Sequence, residues 1–430
     1  MTQIVQNITN KLVSPDFVAE HRQSEKDFTR NRSLTFPHLI SFMLNMVNSS
    51  LKSELRRFFQ VIDNSPLSTN TVSDAAFCKA RKKVSHTAFK ALNTCLVDTF
   101  YQSHSVKKWH GHRLLAVDGS VTSLHNIPVL HDYFGKAKPH SNRPAVRLSQ
   151  LYDVLNKLSI DVQIDSHSTG ERAQAIRHLT CVQPNDLIIY DRGYPAQWFF
   201  RLHQIKRIHY CARVTLGAAN VYDEFLASGK KEAQVLLPCS DKSTRYCKKL
   251  NLSTASLKAR LIRIDLPSGE TELLVTSLRD KKSYPYKCFK KLYHQRWGIE
   301  EDYKLMKSRL TIENFSGLSV EAVLQDIHAK VVTKNIAAVA IVEADKVVHK
   351  TCKKRQLKYK INFTYTLSQL KDNIVRFLLH LASADLSTLF IKTISSAVNA
   401  YRPDRHFIRK DKRKLGWNRP KYNVAYKRIG

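Results

Sequence analysis

The chain has 430 residues, of which 43% are hydrophobic and 25% charged, as is ordinary for a folded protein with two or three domains. Its charge is strongly unbalanced, because 70 Lys and Arg face 36 Asp and Glu, a formal net charge of +34. That surplus predicts a polyanionic partner, with nucleic acid ahead of an anionic membrane surface. A structural RNA-binding role fits the charge equally well.

Cysteine spacing and hydropathy exclude several other classes. The eight cysteines are scattered and none forms a Cys-x2-Cys pair, which disfavours a zinc ribbon and a disulfide framework. The N-terminus carries no signal-peptide pattern. The longest apolar run of the late helical region, Ile336 to Val342, is far too short to span a bilayer. We therefore expect a reduced, cytoplasmic protein with no membrane segment.

Residues 1–108 are predicted to form a helical N-terminal region that binds DNA. Thr35 and Pro37 are a helix-start signal for an apolar-periodic segment that runs from Phe36 to Ile62. Two short helices follow, over about 71–84 and 85–101, with a basic run between them. This pair predicts a DNA-contacting unit, and an ordinary helical hairpin with a solvated basic edge explains it equally well.

Residues 109–214 predict the first part of an α/β core with a mixed sheet. The order is three strands, a helix, a strand, a helix and a strand. The predicted elements are strands 112–120, 146–154 and 158–164, helix 171–182, strand 187–190, helix 195–205 and strand 209–214.

Residues 215–280 differ and predict a β-rich insertion, with a hairpin of strands 258–266 and 271–278. Residues 281–346 predict the second part of the core, with one helix from about Tyr286 to Leu310 and a longer one from Val320 to Lys346. Residues 347–430 predict a helical C-terminal region with a basic tail.

The last 30 residues carry eleven Lys and Arg against two Asp, with aromatic residues interleaved: Phe407, Trp417, Tyr422 and Tyr426. This mixture is typical of a nucleic-acid-binding tail. A merely solvated tail is the alternative.

Two predicted strands end in an acidic residue that a glycine follows. Asp118 precedes Gly119, and Asp191 precedes Arg192 and Gly193. Either aspartate alone is more often a turn former. However, functional groups collect at the carboxyl ends of strands in open α/β sheets, so neighbouring strands would bring the two carboxylates together.

A polar stripe lies on the predicted helix near two thirds of the chain. At about 100° per residue, Tyr293, Arg296, Glu300 and Lys307 fall within about 60° of one another. The alternative is a solvated helix face with i,i+4 ion pairs. Glu301 falls well off the stripe, so we take Glu300 as the third carboxylate of a site. Three carboxylates suit Mg²⁺ or Mn²⁺, and two such ions can serve phosphodiester chemistry.

Together these residues resemble the DDE transposases, whose catalytic core is ribonuclease-H-like. More narrowly, Tyr293-x2-Arg296-x3-Glu300-x6-Lys307 matches the Tyr-Arg-Glu-Lys signature of the bacterial insertion-sequence family called IS-four. The Asp-Gly and Asp-Arg-Gly-Tyr contexts and the β-rich insertion are also typical of that family. The resemblance covers roughly residues 70–345. The implied fold is a ribonuclease-H-like α/β core interrupted by the insertion and flanked by helical regions.

The resemblance implies an enzyme that cuts the ends of an insertion sequence and joins them to target DNA. Asp118, Asp191 and Glu300 would be its catalytic residues and bind the divalent metals, Mg²⁺ or Mn²⁺, as two ions. The implied partners are double-stranded DNA, both terminal inverted repeats and target, and a second copy in a homodimer. A bacterial, nucleoid-associated location follows.

The resemblance also implies DNA-binding residues. Tyr293, Arg296 and Lys307 would contact phosphates near the cleaved end, and Arg192 is a further candidate for such a contact. Two other functions stay open. One is a catalytically silent, sequence-specific DNA-binding protein, a decayed or domesticated copy. The other is a ribonuclease-H-like nuclease that cuts without joining.

In one respect the chain departs from the family pattern. In the best-known members, end cleavage passes through a DNA hairpin, and a tryptophan of the insertion helps to hold a flipped base. Residues 215–280 contain no Trp, and the aromatic candidates there are Tyr222, Phe225 and Tyr246. Trp198 and Trp297 lie outside the insertion, and we predict both to be core residues.

Overall fold

A computed structural model describes residues 1–30, 32–45, 49–68, 72–136, 143–352, 356–381 and 385–401. The chain divides into two compact units, one of Met1–His104 with Leu305–Gly430 and the other of Ser105–Lys304. The predicted basic tail after Tyr401 lies outside the described residues. The five-segment division of the sequence, with DNA binding assigned to 1–108, stays a prediction.

The described part of the first unit is mainly helical. Its elements are α1 (Thr2–Val13), α2 (Pro15–His21), α3 (Phe36–Leu44), α4 (Leu51–Ile62), α5 (Asp74–Arg81), α6 (Thr87–Ser103), α14 (Val320–Thr351), β9 (Lys358–Ile361), α15 (Phe363–Leu370), α16 (Asn373–Leu378), α17 (Leu386–Ser396) and β10 (Val398–Tyr401). Strands β9 and β10 pair antiparallel. Across the residues that the structure describes, no helix is both long and apolar enough to cross a membrane.

Local signals begin the helices of this unit. The predicted start at Thr35 is confirmed, because its side chain accepts a hydrogen bond from the backbone N–H of His38. Ser50 caps α4 in the same way, so the segment from Phe36 to Ile62 contains two helices. Farther on, the buried guanidinium of Arg81 donates to Asp326 on α14 at 2.9 Å. That bond fixes α5 on α14.

The second unit is built on one eight-stranded mixed sheet. Its strands are β1 (Leu114–Ser123), β2 (Ala145–Asp153), β3 (Leu158–Ser166), β4 (Leu187–Tyr190), β5 (His209–Arg213), β6 (Glu232–Leu237), β7 (Leu257–Asp265) and β8 (Thr271–Thr276). Their order across the sheet is β3-β2-β1-β4-β5-β8-β7-β6. Strands β1, β4 and β5 are parallel, and the remaining neighbours are antiparallel.

The described helices of this unit lie between these strands, except the last two, which follow β8. They are α7 (Pro128–Phe134), α8 (Glu171–His178), α9 (Gln197–Ile205), α10 (Asn220–Ala227), α11 (Asp241–Lys249), α12 (Cys288–His294) and α13 (Trp297–Ser308). The predicted order of core strands and helices is confirmed. Two features differ: α7 was not predicted, and β1 runs through Asp118 to Ser123 instead of ending at the acid. Strand β1 continues because β2 pairs with it along the whole length.

The insertion lengthens the main sheet. Its predicted hairpin is present as β7 and β8, and Gly269 takes a φ of 83° in the tight turn between them. Strand β8 pairs with β5 through Cys211 and Thr276, so the core sheet and the insertion share one hydrogen-bonded ladder. The sequence could not show this, because the pairing joins residues far apart in the chain.

The helix predicted from Tyr286 to Leu310 is two helices. Helix α12 ends at His294 and α13 begins at Trp297. Between them, Gln295, Arg296 and Gly298 each bond three residues back, as in a 3₁₀ turn. A Cβ on Gly298 would lie 3.2 Å from Val154 Cγ1, so α13 starts in close contact with the β2–β3 connection. The continuous helical stripe of the sequence prediction is therefore wrong in geometry.

Candidate active site

The parallel register of β1 and β4 brings the two predicted aspartates side by side. The last pair of the ladder is Val117 with Tyr190, and the next residues are Asp118 and Asp191. The residues of both strands that precede the aspartates are buried, and their packing fixes the two backbones in place. One oxygen of Asp118 accepts from the N–H of Gly119 at 2.8 Å.

Helix α13 adds the third predicted carboxylate, Glu300. The residues that follow Glu300 hold this helix on the sheet. The Tyr303 hydroxyl donates to the backbone carbonyl of Asp118 at 3.0 Å. Buried Asp302 accepts from the Gln150 amide at 2.8 Å, and Gln150 stands opposite Asp118 in the β1–β2 register. These contacts orient the turn of α13 that carries Glu300.

Arg296 is the cation that two of the carboxylates contact. Its Nη2 atom lies 2.7 Å from Glu300 Oε1, and its Nη1 atom lies 3.7 Å from Asp118 Oδ2. The guanidinium is 7% exposed, and its Nε atom has no hydrogen-bond partner. A single buried guanidinium thus balances part of the negative charge from two different elements.

Tyr293 faces the remaining carboxylate. Its hydroxyl donates to Asp191 Oδ1 at 3.2 Å, and the ring is buried beside the Arg296 guanidinium. Burial raises the pKa of Tyr293, although Arg296 opposes that shift. The hydroxyl therefore stays a hydrogen-bond donor over the working pH range.

The surroundings of Asp118 perturb its pKa. Burial raises its pKa to about 6, against the Gly119 N–H and Arg296, which lower it, while Glu300 and Asp191 raise it further. Burial is the largest cause, and the Gly119 N–H and Arg296 together do not offset it. A second source of positive charge would stabilise the ionised form.

The structure brings five of the seven predicted site residues together: Asp118, Asp191, Tyr293, Arg296 and Glu300. Arg192 follows Asp191 and is exposed. Lys307 is also exposed, seven residues after Glu300, and belongs to the first unit. Glu301, the rival to Glu300, is 67% exposed and pairs with Lys304.

Sequence reasoning did not find the residues that support the acids. Tyr303 and Asp302 follow the stripe directly, and Tyr303 lies i+3 from Glu300, which is a usable signal of a shared helix face. Nothing local marks Gln150 or Glu171. Tyr194 is 1% exposed, and its hydroxyl has no hydrogen-bond partner. Its pKa is raised by burial, then by Glu171 and Asp118, so it lies close to the acids.

A cavity of about 640 Å³ lies beside this end of the sheet. The polar residues in its wall include Arg147, Glu171, Arg172 and Lys242. Its aromatic wall is Tyr246 stacked on Trp198, with ring centroids 4.7 Å apart at 15°.

The aromatic predictions have mixed outcomes. Trp198 is 3% exposed, so its core assignment is confirmed. Trp297 is 36% exposed, so its core assignment is wrong; it is the first residue of α13 and packs under the Arg296 guanidinium. Of the three aromatic candidates in the insertion, Tyr222 and Phe225 are buried, whereas Tyr246 is 41% exposed.

The three acids have the donor chemistry for hard divalent cations, since carboxylate oxygens are the ligands that Mg²⁺ and Mn²⁺ prefer. Burial raises the pKa of Asp118, so a bound cation would stabilise its ionised form. Within the described ranges, no three His, Cys, Asp or Glu side chains are grouped closely enough to enclose a metal ion. Arg296 is the positive group that Asp118 and Glu300 contact in this structure.

Residues 109–336 match the family model described as a transposase DDE domain. The match covers more than half of the chain, which therefore belongs to this family, and the predicted DDE membership is confirmed. Proteins of this family generally depend on divalent metal ions.

The chain is also similar to the transposase InsG for insertion sequence element IS4 of Escherichia coli strain K12. The two are 23% identical over 252 residues, which span 56% of each chain. This relative agrees with the narrower IS-four assignment. Among solved structures, the chain matches the piggyBac transposase in a synaptic complex with hairpin DNA. That match has a TM-score of 0.48 and 10% identity, and it covers 91% of this chain and 84% of the other.

Proposed function

We propose that this protein is a transposase that cuts DNA at the ends of an insertion sequence and joins the freed ends to target DNA. One observation carries the proposal. Asp118 of β1 and Glu300 of α13 contact the Arg296 guanidinium, and Asp191 at the end of β4 lies beside Asp118 and accepts from Tyr293, in a chain of the transposase DDE domain family.

The catalytic core is ribonuclease-H-like in this proposal. The supporting feature is the arrangement of its first five strands in the order β3-β2-β1-β4-β5, with antiparallel neighbours on one side of β1 and parallel ones on the other. Asp118 lies on the central strand of these five, and Asp191 follows the strand next to it. The insertion then extends the sheet from β5.

Asp118, Asp191 and Glu300 would hold the divalent ions, Mg²⁺ or Mn²⁺, as a pair. When bound, such ions would supply activation of a nucleophile and stabilisation of the leaving oxygen of the phosphodiester. The chain's own residues prepare that site. Tyr303 and Gln150 fix α13 on the sheet, and the buried strands fix the two aspartates.

Arg296 and Tyr293 would hold the DNA strand in this site. Arg296 is always charged and presents several donors in a fork, which suits a phosphate as well as a carboxylate. We propose that it exchanges part of its contact with Asp118 and Glu300 for a phosphate when DNA is bound. Lys307 and Arg192 are exposed cations that would add phosphate contacts. The partner would be duplex DNA in a dimer of this chain, in the bacterial cytoplasm at the nucleoid.

Tyr246 is the aromatic residue that we propose for stacking on an unpaired base if end cleavage passes through a hairpin. It is exposed, it lines the cavity, and Trp198 supports its far face. Stacking of this kind contributes about 1–3 kcal/mol per base. Tyr246→Ala should slow hairpin formation, and Tyr246→Phe should preserve it. Equal rates in both variants would remove Tyr246 from this role.

The function is tested on linear duplexes that carry the DNA flanking the reading frame, in Mn²⁺. We expect the wild type to cut and join these ends, Asp191→Ala and Glu300→Gln to lose cleavage, and Glu301→Gln to keep it. Glu301 is the matched control, because it neighbours Glu300 but points to Lys304.

Each other result has a definite meaning. Equal cleavage by wild type and Asp191→Ala would refute the proposed site. Specific DNA binding with no cleavage by the wild type would favour the silent DNA-binding protein. Cutting without joined products would favour a nuclease.

A further inference from the structure

A fourth acidic side chain touches the backbone beside both catalytic aspartates. Glu171 is the first residue of α8, and the cap before it is Gly170. A Cβ added to Gly119 would lie 3.6 Å from Glu171 Oε1, and one added to Gly193 would lie 3.3 Å from Oε2. One carboxylate is therefore wedged between the segments that follow Asp118 and Asp191.

Two neighbours fix the position of this carboxylate. Arg147 of β2 donates to Glu171 Oε1 at 3.2 Å, and Arg147 stands opposite Val121 of β1 in the strand register. Farther along α8, the fully buried Gln174 donates to the Arg147 carbonyl. The helix start is thus attached to the sheet on both sides of Glu171.

The close approach bears on the residue type at Gly193, because a Cβ there would lie 3.3 Å from Glu171 Oε2, whereas the 3.6 Å at Gly119 is an ordinary van der Waals distance. Neither Gly119 nor Gly193 has a positive φ, so the backbone conformation does not require glycine at either position. At Gly193 the nearest obstacle to a side chain is the Glu171 carboxylate itself. The glycine that follows Asp191 and Arg192 therefore fits contact with a helix that starts between the two strands in the sequence.

We propose that Glu171 is a positioning residue, whose carboxylate, held by Arg147, sets the spacing of Asp118 and Asp191. The proposal rests on the catalytic role proposed for those two aspartates. A plain exposed ion pair would behave differently. Glu171 is 44% exposed, and surface ion pairs contribute little to stability, so an effect on metal binding would distinguish a positioning residue from a plain surface pair.

Mn²⁺ binding is the first test, and it needs no turnover. Binding to the full chain is followed by electron paramagnetic resonance of the unbound Mn²⁺. Loss of a residue that orients metal ligands costs about 10–100-fold in metal affinity. We expect Glu171→Ala to weaken Mn²⁺ binding at least about tenfold, Glu171→Gln to weaken it less because the wedge keeps its shape, and Glu301→Ala to leave it unchanged.

A suppressor experiment is the second test. Gly193→Ala places a methyl group against Glu171, so we expect it to weaken Mn²⁺ binding and slow DNA cleavage. Adding Glu171→Ala to Gly193→Ala removes the obstacle and should restore part of both. Gly170→Ala is the matched control, because a Cβ there meets nothing within 4 Å.

The outcomes separate this proposal from the proposed function. If the wild type cleaves DNA and Asp191→Ala does not, but Glu171→Ala binds Mn²⁺ as the wild type does, Glu171 has no positioning role. A Gly193→Ala defect that Glu171→Ala does not relieve overturns it as well. If the wild type itself neither binds Mn²⁺ nor cleaves DNA, the proposed function fails first.

Discussion

The two ends of the parallel strands in the second unit differ in how completely their buried charged groups are paired. Where β1 and β4 begin, Arg113 and Asp186 form a two-pronged ion pair with distances of 2.7 and 2.6 Å, and both side chains are almost fully buried. Beside them, His112 is bonded to the carbonyl of Asn185 and to the Tyr284 hydroxyl. Each charge at this end has its partner.

At the other end the pairing is incomplete. Asp118 and Glu300 share Arg296, whose Nε atom has no partner, and the buried hydroxyl of Tyr194 has none. Buried polar groups are normally satisfied, so these two unpaired atoms beside the acids need an explanation. The comparison separates an end whose buried ion pair is complete from an end whose incompletely paired groups we propose to bind a ligand.

Asp118→Asn should give the largest difference between the ends. We expect DNA cleavage to fall about a thousandfold or more, because the carboxylate that we propose to bind metal is lost. The free energy of unfolding should stay the same or rise. Burial raises the pKa of Asp118, so its charge costs stability at neutral pH and the amide removes that cost. Single-turnover cleavage and urea unfolding measure the two effects.

Arg113→Met should have the reverse effect. It leaves Asp186 buried without its cation, although the Gln183 N–H still donates to it, and this loss costs about 3–5 kcal/mol of stability in urea unfolding. Cleavage by the remaining folded protein should be unchanged. The exposed pair of Lys304 and Glu301 is the control, and Lys304→Met should cost less than about 1 kcal/mol. If Arg113→Met and Lys304→Met lowered the free energy of unfolding by the same amount, the buried pair would have no special structural role.

His203, which is bonded to the residue before Asp191, should make the stability of the core depend on pH. Its Nδ1–H donates to the Phe199 carbonyl, and its Nε2 accepts from the Tyr190 hydroxyl, so the ring is neutral. Burial lowers its pKa from 6.5 to about 4. The unfolded chain therefore takes up a proton first as the pH falls. Between pH 7 and pH 5 this residue should remove about 2 kcal/mol of stability.

His203→Gln should flatten that part of the stability profile, and an unchanged profile would mean that another group titrates there. The histidine also belongs to the comparison. It supports the last residue of β4 with complete hydrogen bonding, one residue before the incompletely paired end begins.

Tyr303→Phe should have the smallest effect. Loss of the hydrogen bond to the Asp118 carbonyl should cost about 1 kcal/mol of stability. Tyr194→Phe is the matched control, since its hydroxyl has no partner and its removal should cost nothing. If Tyr194→Phe lost more stability than Tyr303→Phe, the Tyr194 hydroxyl would be the one with a hydrogen-bond partner.

The core strands were predictable because each is a short apolar run with clear ends, as at Leu187–Tyr190. The two Asp contexts were visible for the same reason. The sequence could also place Arg296 and Glu300 together, since they lie four residues apart across a single turn. Local patterns of this kind do not depend on which strands become neighbours.

Features that depend on distant contacts were not predictable. The break before Trp297 follows from packing against Val154, and the extension of β1 past Asp118 follows from pairing with β2. The pairing of β8 with β5 joins the insertion to the core sheet. Glu171 has no local signal, because its role arises only when Gly119 and Gly193 come close to it.

The long separation between the acids and their cation has a consequence for synthesis on the ribosome. Strands β1 to β5 are complete once residue 213 has been made, so Asp118 and Asp191 can already be adjacent. Tyr293, the hydroxyl that binds Asp191, lies 102 residues later, and Arg296 follows it. Until then the two carboxylates lie together without Arg296, so a chain terminated early holds an electrostatically unfavourable half of the proposed centre.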